Sequence, residues 1–313
     1  MQDKSFKEKK ILITGISGFV GSNLAARLKE LGAEVYGISK SMTSRNILRA
    51  DILDYERLNK FIKERKIDIC FHLAAESLVE TGQEDPYSTF KTNIEGTLNI
   101  LESARRNKVR KIIIASTVHV YGNNKIPYLE EYTPRPSRPY ETSKACIDLI
   151  AQSYANSFNL PVAVPRFANI YGPNDLHFER LIPRTIKAVL ENKSPRMWGG
   201  EAVRDYLFID DALKAYISLA KLNLKRVKGN RIFNFGSGNR ISVRNLVEKI
   251  IKLSGNRVVI DKITQGRNEE ILTQYASWNK ARKLLHWEPK VDLEEGLKRT
   301  IEWYKTYQKK KRY

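Results

Sequence analysis

Apolar residues recur along the first half of the chain in two alternating rhythms. Short runs rich in branched apolar side chains stand at 10–14 (KILIT), 34–38 (EVYGI), 68–74 (DICFHLA), 111–116 (KIIIAS) and 162–167 (VAVPRF). Between them, stretches of helical period cover about residues 22–31, 54–64, 88–107 and 140–158. Continuous apolar runs separated by amphipathic helices are the pattern of strands buried on both faces, so the alternation predicts a parallel sheet flanked by helices. The rhythm breaks over 174–204, which holds a helical stretch, LIPRTIKAVLEN, and a Gly199-Gly200 turn. Residues 205–221 and the strand-like RIFNFGSG at 231–238 read as a return to the sheet. The remainder, 242–313, adds helices around VEKIIKLSG, NKARKLL and LEEGLKRTIEWYKTY. The predicted fold is a doubly wound α/β structure made of 1–173 plus 205–238, joined to a smaller, discontinuous α/β part made of 174–204 plus 239–313.

Composition narrows the setting. At 313 residues, 42% hydrophobic and 29% charged, the chain can bury a sizeable core. It has no run of about 18 or more uncharged apolar residues. Its N-terminal MQDKSFKEKK passes directly into an apolar strand, without the segments of a signal peptide. The expectation is a soluble, cytoplasmic protein with no membrane partner. Cys70 and Cys146 form no close pair and show no metal-ligand spacing, so neither a disulfide nor a metal site is expected. Fifty-five basic against 35 acidic residues give a net charge of +20, which attracts phosphorylated ligands, nucleic acid or anionic surfaces. The basic residues are spread along stretches such as FIKERK, SARRNKVRK and VRNLVEKIIK, where they read as solvated helix faces. No nucleic-acid-binding signature accompanies them, so nucleic acid is not an expected partner.

Two constellations carry chemistry. Directly after the first strand stands Thr14-Gly15-Ile16-Ser17-Gly18-Phe19-Val20-Gly21, followed by the helical SNLAARLKELG. Glycines there permit a tight turn and close backbone approach, so a helix N-terminus meets a pyrophosphate with open N–H groups and a favourable dipole. This is the start of a Rossmann-type dinucleotide-binding domain, in which Gly15, Gly18, Phe19, Val20 and Gly21 would hold the cofactor. The second constellation is Tyr140-Glu141-Thr142-Ser143-Lys144, whose tyrosine and lysine share a helix face. A phenol with a pKa near about 10 is a poor base at neutral pH until a nearby cation stabilises its charged form. Lys144 would provide that cation and also hold a ribose hydroxyl.

The G-x-x-G-x-x-G spacing, the Tyr140/Lys144 pair and Thr117 in IIIASTVHVYG resemble the extended short-chain dehydrogenase/reductase family. The likeness runs from about residue 10 to 306 and falls within its branch of nucleotide-sugar epimerases and dehydratases. Asp85-Pro86 with Asn93-Ile94-Glu95-Gly96-Thr97, Arg166-Phe167-Ala168-Asn169-Ile170-Tyr171-Gly172-Pro173, Arg204-Asp205-Tyr206 and Trp278-Asn279-Lys280-Ala281 match segments that recur in order there. The resemblance implies a catalytic trio of Thr117, Tyr140 and Lys144, and cofactor contacts from Lys40, Asp51, Ile52, Leu73, Ala74, Ala75, Asn93 and Phe167 besides the glycine turn. It also implies that Asn169, Arg180, Arg204 and Arg267 surround a nucleotide diphosphate, with Thr117 and His119 beside the sugar. Arginine suits this role because its fork of donors grips two phosphate oxygens. A homodimer paired through the helices at 88–107 and 140–158 is implied as well.

The reaction is left open at this point. The family oxidises C4 of the hexose; a 4-epimerase then returns hydride to the other face, whereas a 4,6-dehydratase first eliminates the C6 hydroxyl. Elimination needs added acid/base groups, commonly a pair directly after the Thr/Ser, and this chain has Val118-His119 there. That favours an NDP-sugar 4-epimerase. The segments FANIYGPNDLHFERLIP and LTQYASWNKARKLLHW look most like 4,6-dehydratases of the CDP-glucose type, and a 4-keto-sugar reductase or a non-catalytic sensor of a dinucleotide or nucleotide sugar are further alternatives. NAD readers place an acidic residue after the second strand; Ser39 with Lys40 and Arg45 nearby also admits NADP, with NAD the first expectation.

Overall fold

The computed structural model describes residues 5–224, 227, 229–263 and 271–311. Strands run in chain order as β1 (Lys10–Thr14), β2 (Glu34–Ser39), β3 (Ile47–Arg49), β4 (Ile69–His72), β5 (Lys111–Ile114), β6 (Ser116–Thr117), β7 (Val162–Phe167), β8 (Asn169–Tyr171), β9 (Arg196–Trp198), β10 (Val203–Phe208), β11 (Ile232–Phe235), β12 (Arg240–Ser242), β13 (Asp261–Ile263) and β14 (Thr273–Gln274). The helices of the first half are α1 (Phe19–Glu30), α2 (Tyr55–Arg65), α3 (Val79–Glu84), α4 (Pro86–Phe90), α5 (Gly96–Arg106) and α6 (Pro139–Ser157). Those of the second half are α7 (Leu181–Leu190), α8 (Ile209–Lys221), α9 (Val243–Ser254), α10 (Asn279–Leu285) and α11 (Leu293–Lys311).

The main sheet is wholly parallel, in the order β3-β2-β1-β4-β5-β7-β11, with β6 pairing beside β7. Strand order reverses beside β1, which lies between β2 and β4, and the crevice above such a switch point is where α/β sheets take ligands. Alternate side chains of β1 enter two different cores. Ile11 and Ile13 join Leu24 and Leu28 of α1 with Ala212, Ala215 and Leu219 of α8, whereas Leu12 joins Leu58 of α2, Ile100 and Leu101 of α5, and Ile147 and Ala151 of α6. Each buried Leu or Ile removes enough apolar surface to stabilise the fold by about 1.5–3 kcal/mol, so a sheet covered on both faces is held mainly by this packing.

The expected return of 205–221 to the main sheet happens only in part. β10 instead centres a second sheet, parallel to β8 and β14 and antiparallel to β12, while α8 packs back on the first core and β11 rejoins the parallel sheet beside β7. The reason lies in Asp205. Its buried carboxylate accepts from Ser237 N, Ser237 Oγ and Gly238 N, which fastens β10 to the loop after β11. The helix expected over 88–107 is also interrupted. Asp85 caps α4 by accepting from Ser88 N, and a π-helical turn, Lys91–Glu95, separates α4 from α5. This wider turn carries Asn93 inward, where a uniform α-helix would have continued.

Candidate active site

The first wall of a cleft of about 730 Å³ is the glycine turn. Gly15 has φ +69°, and a Cβ there would stand 3.0 Å from the backbone N and Cα of Ala74. A Cβ on Gly21 would lie 2.2 Å from the Gly15 carbonyl oxygen, so only glycine lets the first turn of α1 close against the loop. Gly18 is the N-cap, no side chain caps the helix, and no acidic residue sits in its first turn. The N-terminus of α1 is thus open to an anion at the cleft. Thr14 extends this wall: its hydroxyl accepts from Leu73 N and Ala74 N, both at 3.1 Å, and lies 2.8 Å from His72 Nδ1. Leu73, Ala74 and Ala75 are thereby set along the cleft. Burial, and then the charge of Lys144, hold His72 down to about 3, so it is a neutral tie between β1 and Thr97 of α5.

At one end Ser39, Lys40, Ser41 and Ile52 line the cleft. Two expected cofactor contacts stand behind the lining. Asp51 pairs with Lys40 Nζ at 3.1 Å and accepts from Leu53 N at 3.0 Å. Asn93, 1% exposed, accepts from Glu76 N and donates to Glu76 O and to Ser143 Oγ, so it braces the loop after β4 against α6.

The centre of the cleft gathers Thr117, His119, Tyr140, Lys144 and Phe167. β6 ends at Thr117, in register with Phe167, and the Thr117 hydroxyl donates to the Phe167 carbonyl at 3.4 Å while accepting from His119 N at 3.2 Å. Burial pushes the Tyr140 phenol up to about 12; the Arg180 charge and the Thr117 hydroxyl pull the other way, and Glu141 and Asp148 add to the rise. Burial draws Lys144 down to about 8, opposed by Asp148, and its Nζ donates to the Ala115 carbonyl at 3.0 Å. Arg180 thus adds positive charge near the Tyr140 phenol, while the Ala115 carbonyl just after β5 fixes the Lys144 ammonium. His119 presents Nε2 to Asn169 Oδ1 at 3.3 Å and Nδ1 to Glu141 Oε1 at 3.9 Å. Glu141 was missed by the sequence reading, although its place next to Tyr140 in Tyr140-Glu141-Thr142-Ser143-Lys144 puts it within reach of the same cleft.

The opposite wall holds Asn169, Arg180 and Arg204. Arg180 bridges Asp175 at 3.1 Å and Ser77 Oγ at 3.2 Å, joining two loops that face each other across the cleft. Arg204 donates from Nη1 to the carbonyls of Ile271 at 2.8 Å and Val203 at 3.0 Å. Arg267 lies outside the described residues.

Residues 11–236 match the model of the NAD dependent epimerase/dehydratase family. The chain belongs to that family. A curated relative, the UDP-glucuronate 4-epimerase of Thermodesulfobacterium geofontis, is 30% identical over 94% of this chain and 95% of its own length. The dTDP-D-glucose 4,6-dehydratase of Homo sapiens is 28% identical over 95% of this chain and 90% of its own. Among solved structures, the UDP-glucuronic acid 4-epimerase of Bacillus cereus, in complex with UDP-glucuronic acid and NAD, superposes with a TM-score of 0.85 at 28% identity, covering 95% of this chain and 99% of that one. The chain is thus an NAD-dependent enzyme of the epimerase/dehydratase family. Its own residues fit that cofactor: the uncapped α1 N-terminus suits a pyrophosphate, and the apolar wall of Leu73, Ala74 and Phe167 suits a flat ring.

Proposed function

We propose that this enzyme inverts C4 of a hexose carried on a nucleoside diphosphate, as an NDP-sugar 4-epimerase. The observation that carries this reading is the single cleft shared by the glycine turn and by Thr117, Tyr140 and Lys144, with no proton-transfer group directly after Thr117. Val118 is 3% exposed and packs with Val120, Tyr121 and Tyr128, away from any acid/base work. When bound, NAD supplies reversible hydride transfer. Tyr140 takes the proton of the C4 hydroxyl as the carbonyl forms and returns it when the alcohol is restored. Thr117 donates to the C4 oxygen, and Lys144 favours the phenolate of Tyr140 and holds a cofactor ribose hydroxyl. Gly15, Gly18, Phe19, Val20 and Gly21 hold the dinucleotide pyrophosphate, and Asn169, Arg180 and Arg204 hold the sugar nucleotide diphosphate.

One observation favours a second reading, a 4,6-dehydratase. His119 faces the cleft with the Glu141 carboxylate behind it, which is an acid/base pair in place of the one expected at Val118-His119. The human relative is named for that activity. Incubation with UDP-, CDP-, GDP- and dTDP-hexoses and NAD, with products read by NMR, separates the two. A C4-inverted hexose that keeps its C6 hydroxyl supports the epimerase; a 4-keto-6-deoxy product assigns the chemistry to His119 and Glu141.

The same reading includes a homodimer joined through α4–α5 and α6, supported by exposed Tyr87 on α4, Leu149 on α6 and Phe158 at the C-cap of α6. It also places the enzyme in the cytoplasm; among the described residues no helix is long and apolar enough to cross a membrane. We assign 1–173 plus 205–238 to the cofactor and 174–204 plus 239–313 to the sugar nucleotide.

A further inference from the structure

One turn beyond Lys144 on α6 lies a pair of charges that the reaction outlined above does not use. Asp148 is wholly buried, Arg166 is 1% exposed, and Arg166 Nε donates to Asp148 Oδ2 at 2.7 Å. Burying two ions is expensive, and apolar side chains of similar volume often serve stability as well or better. This pair, however, sits at a particular place. Arg166 is the β7 residue in register with Ser116 on one side and Asn234 on the other, and the next residue, Phe167, is in register with Thr117. Its guanidinium lies 4.6 Å from the centre of the Tyr121 ring, whose hydroxyl donates to Asn234 at 2.8 Å. Asp148 follows Lys144 by one turn on the buried side of α6, as Lys144 follows Tyr140.

The charged and titratable groups that face Lys144 come from three elements. Tyr140 and Asp148 share its helix, His72 reaches it from β4, and Arg166 stands behind Asp148 on β7. Tyr140 and His72 are neutral near pH 7, and Arg166 is a cation, so among the described residues Asp148 is the negative charge that acts on Lys144.

We propose that Asp148, clamped by Arg166, is a positioning residue that supplies the buried counter-charge keeping Lys144 an ammonium and fastens α6 to the end of β7. The proposal rests on the role given above to Lys144. Burial works against the ammonium and Asp148 opposes that effect, so a chain lacking the carboxylate loses the charge at a lower pH. Burial raises the Asp148 carboxyl above its ordinary value, and the Arg166 charge, 2.7 Å away through Nε, opposes that rise and favours the ionised form.

The test titrates Lys144 in the protein alone, from the pH dependence of its labelling by acetic anhydride read by peptide mass analysis. In Asp148→Leu/Arg166→Met, where apolar volume replaces the pair, the labelling midpoint should fall by about one pH unit or more, and the alkaline limb of turnover should move with it. Asp148→Glu should restore both. Arg166→Met alone lets burial neutralise Asp148 and should lower the midpoint as well. A pair that serves packing only would change the denaturation midpoint and leave the Lys144 titration in place. An unmoved midpoint in the folded double variant overturns the proposal; should that variant not fold, an unmoved or raised midpoint in Arg166→Met does so. If the wild-type enzyme turns over no nucleotide sugar, the reading of the reaction falls while the labelling result still decides the role of Asp148.

Discussion

The wall of the cleft formed by residues 15–21 and 73–75 is shaped by backbone, whereas the wall formed by Asn169, Arg180 and Arg204 is held by side chains bonded to loops distant in sequence. On the first wall the tolerances are steric: 2.2 Å from a Gly21 Cβ to a carbonyl oxygen, 3.0 Å from a Gly15 Cβ to the next loop. On the second they are electrostatic, as with Arg180 between Asp175 and Ser77 or Arg204 on the Ile271 carbonyl. A backbone wall recognises what every dinucleotide shares, a pyrophosphate and flat rings. A side-chain wall can be re-tuned one residue at a time, which suits the discrimination among sugar nucleotides that we propose for it.

Between the two walls stands Tyr140, and its removal should give the largest effect. Tyr140→Phe is expected to lower kcat by about 10²–10⁴-fold while the dissociation constant for NAD stays near that of the wild type, as measured by calorimetry. Equal losses in both quantities would mean that the tyrosine builds the site and does not act in it. On the side-chain wall, Arg204→Met should raise KM for the sugar nucleotide by about 10–100-fold, the equivalent of a charge-assisted hydrogen bond of about 1.5–3 kcal/mol, with kcat and NAD affinity little changed. A fall in NAD affinity of the same size would erase the distinction between the walls. On the backbone wall, Gly21→Ala should destabilise the fold by about 1–3 kcal/mol in urea denaturation and weaken NAD binding, with no selective change in KM.

The smallest effect expected is a dependence of stability on pH. Lys144 and Lys111 are each held down to about 8 by burial, below the ordinary lysine value of 10.5. Between pH 8 and 9 the unfolded chain keeps protons that the folded one has lost, so stability rises with pH, by about 1.4 kcal/mol per unit for each fully titrating group. Cys70, pushed up to about 12 by burial from 9.0, offsets about half of this rise above pH 9. Lys144→Met should reduce the rise and, by removing a buried charge, leave an inactive protein at least as stable as the wild type at pH 7. Denaturation curves at three pH values check this.

Much of the cofactor wall could be read in advance because its determinants are local. β1 and β7 fall on the apolar runs that predicted them, and the turn at Gly15 needs only its own glycines and the helix that follows. That Tyr140 and Lys144 would face one cleft was legible for a similar reason, since they stand one helical turn apart. What escaped depends on partners remote in sequence. Asn93 braces Glu76 and Ser143 behind the cleft lining, set there by a π-turn that the helical period does not announce. Asp51 stands beside the cleft, paired with the lining residue Lys40 and accepting from Leu53 N. β10 left the main sheet because Asp205 meets a loop 32 positions away, and Glu141 acquired a histidine partner through the fold of β6. Such pairings have no periodic signature, and only the packed chain decides them.

The last helix adds a matter of timing. The Tyr304 hydroxyl, in α11, donates to the carbonyl of Asp175, 129 positions earlier, and the Asp175 carboxylate holds Arg180. As the chain leaves the ribosome, the strands and turn that grip a dinucleotide are complete long before this anchor emerges. The hold on Arg180 is therefore completed only once α11 has been made and packed, whereas the glycine turn at 15–21 is among the first parts of the chain to be made.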